Sequence, residues 1–226
     1  DSGFELRRDA LELEEVHFYD LFVPLVREIE TNLGYDEAVD QIVHALTPLG
    51  SRYSTTLAEG LRDGWVDRYE NKGKQSGAYS SGCYDSDPYI LMNYRPDNLD
   101  SLFTLAHEAG HSMHSWHSNR NQPPQYAGYS IFVAEVASTF NEILLSESLL
   151  RETSDPRRKA FLINREIDAI RSTLFRQTMF AEFEKITHEM AESGEPLTVQ
   201  AFKDVYRGLL EAYFGPDFTL HEELAL

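Results

Sequence analysis

The sequence predicts a mainly α (α+β) fold with one small sheet, and three observations carry that expectation. Apolar residues recur at helical spacing through most of the 226 positions. Glycine, proline and strand-forming residues concentrate in one stretch, residues 71–98. Elsewhere the periodic segments are separated by short runs that carry helix caps and breakers.

In chain order, residues 4–31 set Leu11, Phe18, Leu21, Phe22, Leu25 and Ile29 on a helical period, so one helix is expected there, closed by Asn32 and Gly34. A second helix is expected over 36–46, and Pro48 with Gly50 separates it from a third over 52–69. The period then changes. Residues 77–84 and 88–94 are rich in strand formers and flank the turn Asp85-Ser86-Asp87, so they read as a hairpin or two neighbouring strands, the one expected β structure. Residues 96–100 signal a helix running to Ser118, followed by a polar, proline-bearing loop over 119–128 and a further helix over 129–151. Ser154 can cap and Pro156 suits a first turn, after which the period continues to Met190. Ser193-Gly194 breaks it before a helix over 198–214, and residues 221–226 begin like another.

This length suits one large domain, and a core of that size needs no disulfide or metal staple. Any metal is therefore expected to be functional. The net charge of −18 repels phosphate backbones and anionic lipid, which argues against nucleic-acid and membrane-surface partners. No apolar run approaches a membrane span, and the 42 % hydrophobic content exceeds that of disordered chains. Cys83 is the single cysteine and the N-terminus lacks a secretion signal, so a reducing, cytoplasmic setting is expected.

Four of the eight histidines lie between His107 and His117. On a helix, His107 and His111 stand about 40° apart and one turn apart, so both can reach one metal ion. Glu108 lies about 100° round from His107, beside such an ion, where a carboxylate can take a proton from metal-bound water. The pattern is H-E-x-x-H, which this composition would produce by chance in roughly 3 % of shuffled chains, so context must support it. Catalytic zinc takes three protein ligands. His117 has the spacing of an extended motif, but that motif needs a helix-ending glycine where His114 stands; on a continuous helix His117 sits about 15 Å along the axis and about 80° away. It is set aside. His114 faces the metal side but lies roughly 7.5 Å beyond the pair, which suits an outer or substrate contact. Glu135, wrapped in the apolar Ile131-Phe-Val-Ala-Glu-Val-Ala137, is the better third ligand, because a buried carboxylate needs a compensating charge. The 119–128 loop is long enough to turn its helix back onto the first. Ser138, Thr139 and Glu142 follow at helical spacings and could orient the ligands.

These residues resemble the thimet-type oligopeptidase family of zinc metallopeptidases, most closely its oligoendopeptidase F branch. The resemblance rests on His107-Glu-Ala-Gly-His-Ser-Met-His114, Ile131-Phe-Val-Ala-Glu-Val-Ala-Ser-Thr139, Gly73-Lys-Gln-Ser-Gly-Ala-Tyr-Ser80, Pro88-Tyr-Ile-Leu-Met-Asn93 and Phe175-Arg-Gln-Thr-Met-Phe-Ala-Glu-Phe-Glu184. It implies a zincin-like helical core with a small sheet beside the metal helix, one Zn2+ held by His107, His111 and Glu135, and Glu108 as the catalytic base. The implied activity is zinc-dependent endopeptidase cleavage of short peptides. It also implies a longer protein, with an N-terminal helical region and a later segment whose His and Tyr touch substrate and oxyanion. Ala109 departs from the bulkier apolar residue that the family often carries. Within the chain, Tyr126 and Tyr129 are candidate oxyanion donors. The strand through Gly77, Ala78 and Tyr79 is a candidate edge for pairing with an extended peptide, and Cys83 is given no catalytic part. The alternative is a catalytically incomplete metal-binding helical domain serving as an interaction or structural module. A third reading is metal-dependent hydrolysis of something other than peptides.

Overall fold

The computed structural model describes residues 2–26, 29, 31–215 and 218–221. It is mainly helical with a small sheet. The chain divides into two compact units, residues 29–155 and residues 1–28 with 156–226.

The 29–155 unit begins with α2 (Tyr35–Ala45) and α3 (Ser51–Arg62), which follow α1 (Ser2–Ala10) and β1 (Val16–His17) of the other unit in chain order. The predicted third helix is shorter than expected, ending at Arg62 instead of residue 69. Gly64 adopts φ +100°, a conformation that suits glycine, and the Trp65 ring lies against Gly60 where any Cβ would come within 2.2 Å of it. That turn sends the chain into β2 (Val66–Asp67), a strand absent from the sequence reading. The expected hairpin forms over fewer residues: β3 (Tyr79–Ser81) and β4 (Tyr89–Leu91) pair antiparallel, Ser80 opposite Ile90, while β2 pairs parallel with β4. The order β2-β4-β3 leaves β3 outermost.

Two 22-residue helices, α4 (Asp100–Asn121) and α6 (Ile131–Glu152), make the principal packing of this unit. Asn98 starts α4 by accepting the Asp100 N–H on Oδ1 at 2.8 Å, and Ser130 starts α6 by accepting from the Phe132 N–H at 3.3 Å. α4 runs one turn beyond the expected Ser118, and the expected loop after it holds a single helical turn, α5 (Pro124–Ala127). Ser115 meets Tyr129, Gly110 meets Ser138 and Ala106 meets Asn141, so the two helices are antiparallel. Leu102, Phe103, Leu105, Ala106 and Ala109 of α4 are buried with Leu145 of α6, Ile42 of α2 and Leu57 and Leu61 of α3. The sheet packs on α4 through β3 and β4.

In the other unit the expected helix over 4–31 is corrected: α1 stops at Ala10, and a 3₁₀ turn over Phe18–Phe22 follows β1. Helical periodicity lost to local chemistry. Glu12 takes φ +55°, Asp20 Oδ2 accepts the His17 N–H at 2.8 Å, and Pro24 has no N–H to give. Val16 instead pairs with Phe218 of β5 (Phe218–Thr219), a parallel contact between segments far apart in sequence and so invisible to periodicity. Residues 27, 28 and 30 of the expected helix, and 222–226 of the expected terminal one, lie outside the described residues. Arg7 is buried and donates to the carbonyls of Asp20 and Val23, each at 2.7 Å. The long periodic stretch after Pro156 is α7 (Pro156–Ile170), a π turn at Arg171–Phe175 in which the Arg176 N–H reaches the Arg171 carbonyl, and α8 (Arg176–Ser193). Gly194, at φ +81°, caps α8. Thr198 caps α9 (Val199–Phe214), whose Leu209 and Leu210 pack with Met179 of α8.

Candidate metal centre

α4 carries His107 and His111 on one face, and α6, folded back along it, brings Glu135 opposite. Three atoms meet there. His107 Nε2 and His111 Nε2 are 3.1 Å apart, and Glu135 Oε2 lies 3.3 Å from the first and 3.4 Å from the second. A tetrahedral zinc ion with bonds of about 2.0–2.1 Å has ligand-to-ligand edges of about 3.3–3.4 Å, so the triangle has the size of one face of such a site. Among the described residues this is the one group of three metal-ligating side chains found so close together.

The far side of the His107 ring explains why its Nε2 points inward. His107 Nδ1 lies 2.7 Å from Glu142 Oε1, and the ring of His111 lies near the Ala134 backbone. With the His107 Nδ1–H donating to that carboxylate, its Nε2 presents a lone pair. The donor set, two imidazole nitrogens and one carboxylate oxygen, fits a divalent ion of zinc's type. Ser138, wholly buried, donates to Glu135 Oε2 at 2.8 Å or to the Glu135 carbonyl at 3.0 Å, whereas Thr139 bonds only that carbonyl, at 2.6 Å. The side chain of Glu135 is 61 % exposed, more open than its apolar neighbours suggest.

Glu108 is buried, 7 % exposed, beside the triangle. Burial pushes its carboxyl above the usual range, His107 opposes that, and Glu135 adds to it. The Glu142 hydrogen bond raises His107, while burial lowers His111.

Spacing alone missed two features. At Gly110 an added Cβ would stand 2.6 Å from the Ser138 Cα and 2.7 Å from the Ala137 carbonyl oxygen, so glycine is what lets α6 approach α4. Asn141, also buried, accepts from the Tyr53 hydroxyl at 3.1 Å and donates to the Ala106 carbonyl at 3.1 Å, tying α3, α4 and α6 together one residue from His107 and Glu142. Glycine inside the motif and a polar residue on an otherwise apolar helix were the available signals.

The remaining candidates lie outside the triangle. His114 stacks on Tyr129 at 3.7 Å, its Nδ1 buried without a partner among the described residues, and Tyr129 shares a hydrogen bond with Ser115. Tyr126 is exposed. α4 continues unbroken through His117, which stacks on Tyr53. Gly77 adopts φ +91° and accepts from Asn93 Nδ2 at 3.1 Å, Ala78 is half-buried, and Tyr79 is exposed on the outer strand.

The profile of peptidase family M3 matches residues 4–226. The chain belongs to that family. Within family M3 it is similar to oligopeptidase PepF of Bacillus subtilis, 50 % identical over 98 % of this chain and 33 % of that one. It is 44 % identical to an oligoendopeptidase F homolog of Borreliella burgdorferi, over 97 % of this chain and 37 % of the other. The crystal structure of oligoendopeptidase-F from Enterococcus faecium superposes with a TM-score of 0.65 at 33 % identity, covering 99 % of this chain and 32 % of that one. The chain thus spans about a third of the length of the curated relatives it matches. Among the described residues no helix is long and apolar enough to cross a membrane.

Proposed function

We propose that this chain is the catalytic core of a zinc-dependent metalloendopeptidase that hydrolyses peptide bonds in short peptides. The observation that carries the reading is the triangle of two imidazole nitrogens and one carboxylate oxygen, with edges of 3.1, 3.3 and 3.4 Å and a buried glutamate beside it. Membership of family M3 and the relatives named as oligoendopeptidases support the same activity.

In this reading His107, His111 and Glu135 hold one Zn2+, whose Lewis acidity acidifies water and polarises a peptide carbonyl. Glu108 accepts the proton of the attacking water and returns it to the leaving amine. Glu142 keeps the His107 ring turned inward, and Ser138 holds the Glu135 carboxylate. The outer edge of β3, through Gly77, Ala78 and Tyr79, pairs with an extended oligopeptide, for which its place at the end of the β2-β4-β3 order suits it. His114 contacts substrate or supports the site from outside it.

The test is Glu108→Gln in the intact protein: bound zinc is retained and hydrolysis of a quenched-fluorescent peptide is abolished. Unchanged turnover would end the assignment of Glu108 as base. Zinc content measured for the wild type against Glu135→Ala checks the third ligand, since equal content would remove Glu135 from the site.

A further inference from the structure

Beside the metal triangle, strand β3 meets α4 at two points one helical turn apart. Ser80 supplies both. Its hydroxyl lies 2.8 Å from that of Ser112, which is wholly buried on α4, and its backbone faces the carboxylate of Glu108, four residues earlier on the same helix. The sheet register explains how one residue can do this. The Ile90 N–H donates to the Trp65 carbonyl of the β2 side at 2.7 Å, so Ile90 turns its backbone groups towards β2. Ser80, opposite Ile90, therefore turns its own N–H away from β4 and towards the free edge. Its side chain meets α4, whereas those of Tyr79 and Ser81 point to the other face.

We propose that Ser112 is a positioning residue: its hydroxyl, paired with that of Ser80, fixes the register of β3 on α4 that keeps the Ser80 N–H directed at the Glu108 carboxylate. This rests on the reading of Glu108 as the proton acceptor. The hydroxyl of Ser112 bonds that of Ser80, and Ser112 acts through it. A slip of β3 by a single residue would reverse which backbone groups face Glu108, and the hydroxyl pair opposes that slip. The same pairing sets where a peptide bound along β3 lies relative to the proton acceptor.

The experiment is a double-mutant cycle of Ser80→Ala and Ser112→Ala in the intact zinc-loaded protein, with kcat and KM measured separately and amide exchange followed along β3. Each single variant is expected to lower kcat about five- to tenfold, with KM changed less than about twofold, and the double variant to be no worse than either single. Exchange of the Ser80 amide should rise about tenfold in Ser112→Ala, while those of Tyr79 and Ser81, bonded to β4, stay put. Ser80→Ala covers the case in which the buried Ser112→Ala fails to fold, because it removes the same pair from a partly exposed strand. Wild-type kcat in both variants, additive losses, or an unmoved Ser80 amide would overturn the proposal. Absence of turnover in the wild type would overturn the Glu108 reading together with it, and is distinct from an active wild type whose variants match it.

Discussion

Of the two imidazoles in the candidate metal site, His107 is held from behind by Glu142, at 2.7 Å. Removing an outer partner of this kind typically lowers metal affinity 10–100-fold. Glu142→Ala should therefore weaken zinc binding by about that factor in a competition titration, while Thr139→Ala, whose hydroxyl reaches only a backbone carbonyl, should leave it unchanged. An unaltered affinity in Glu142→Ala would show that the His107 ring is oriented by packing instead. At this scale much was legible. Two histidines four apart with a glutamate after the first define a face and a neighbour on any helix, and Glu142 follows Glu135 at the seven-residue helical interval. Ser80 was not legible as a partner of Glu108, because nothing in local spacing says which strand residue meets which helix residue.

Among the elements, the antiparallel pair α4 and α6 decides whether Glu135 reaches the histidines at all. They approach closely at Gly110, where a methyl group would meet the Ser138 and Ala137 backbone. Backbone cannot rotate out of the way as a side chain can. Gly110→Ala should destabilise the protein by about 1–3 kcal/mol and, by separating the helices, reduce zinc affinity as well. Chemical denaturation and metal titration of the same variant measure both, and a stable variant with intact affinity would contradict the close-packing account. The helices themselves were foreseeable from caps and periodicity. Their ends were less so: α3 stops where the Trp65 ring covers Gly60, and the expected helix over 4–31 gave way to β1, which needs β5 to exist.

For the 29–155 unit as a whole, two predictions concern stability. Both tryptophans, Trp65 and Trp116, belong to this unit, so intrinsic fluorescence follows its unfolding. Zinc at 100 times its dissociation constant should stabilise that transition by about 2.7 kcal/mol, and a chelator should reverse the shift. No shift would argue against a preformed site in these residues. The second concerns alkali. Burial raises the phenol of Tyr35 and pushes that of Tyr94 up to about 12, and their hydroxyls donate to the carbonyls of Leu61 and Leu33 at 2.9 and 2.8 Å. Below pH 10 both states of each phenol are protonated and the stability is fully present. Between about pH 10 and 12 the unfolded chain loses the protons first, so stability falls as pH rises. Thermal unfolding across that window should show the decline, and Tyr94→Phe should make it shallower. An equal slope in the variant would exclude Tyr94 as a contributor.

What the sequence by itself determined is whatever depends on neighbours within a helical turn: the helical class, the single hairpin, the faces of α4 and α6, and the identity of the candidate ligand and base residues. Such features follow from backbone geometry and side-chain chemistry that travel with the local chain. Tertiary structure alone decided the parallel pairings of β1 with β5 and of β2 with β4, the approach at Gly110, and the contact of Ser80 with Ser112 and Glu108. Each of these joins segments whose separation along the chain carries no periodic signal, and each is fixed by how packed surfaces fit together in space.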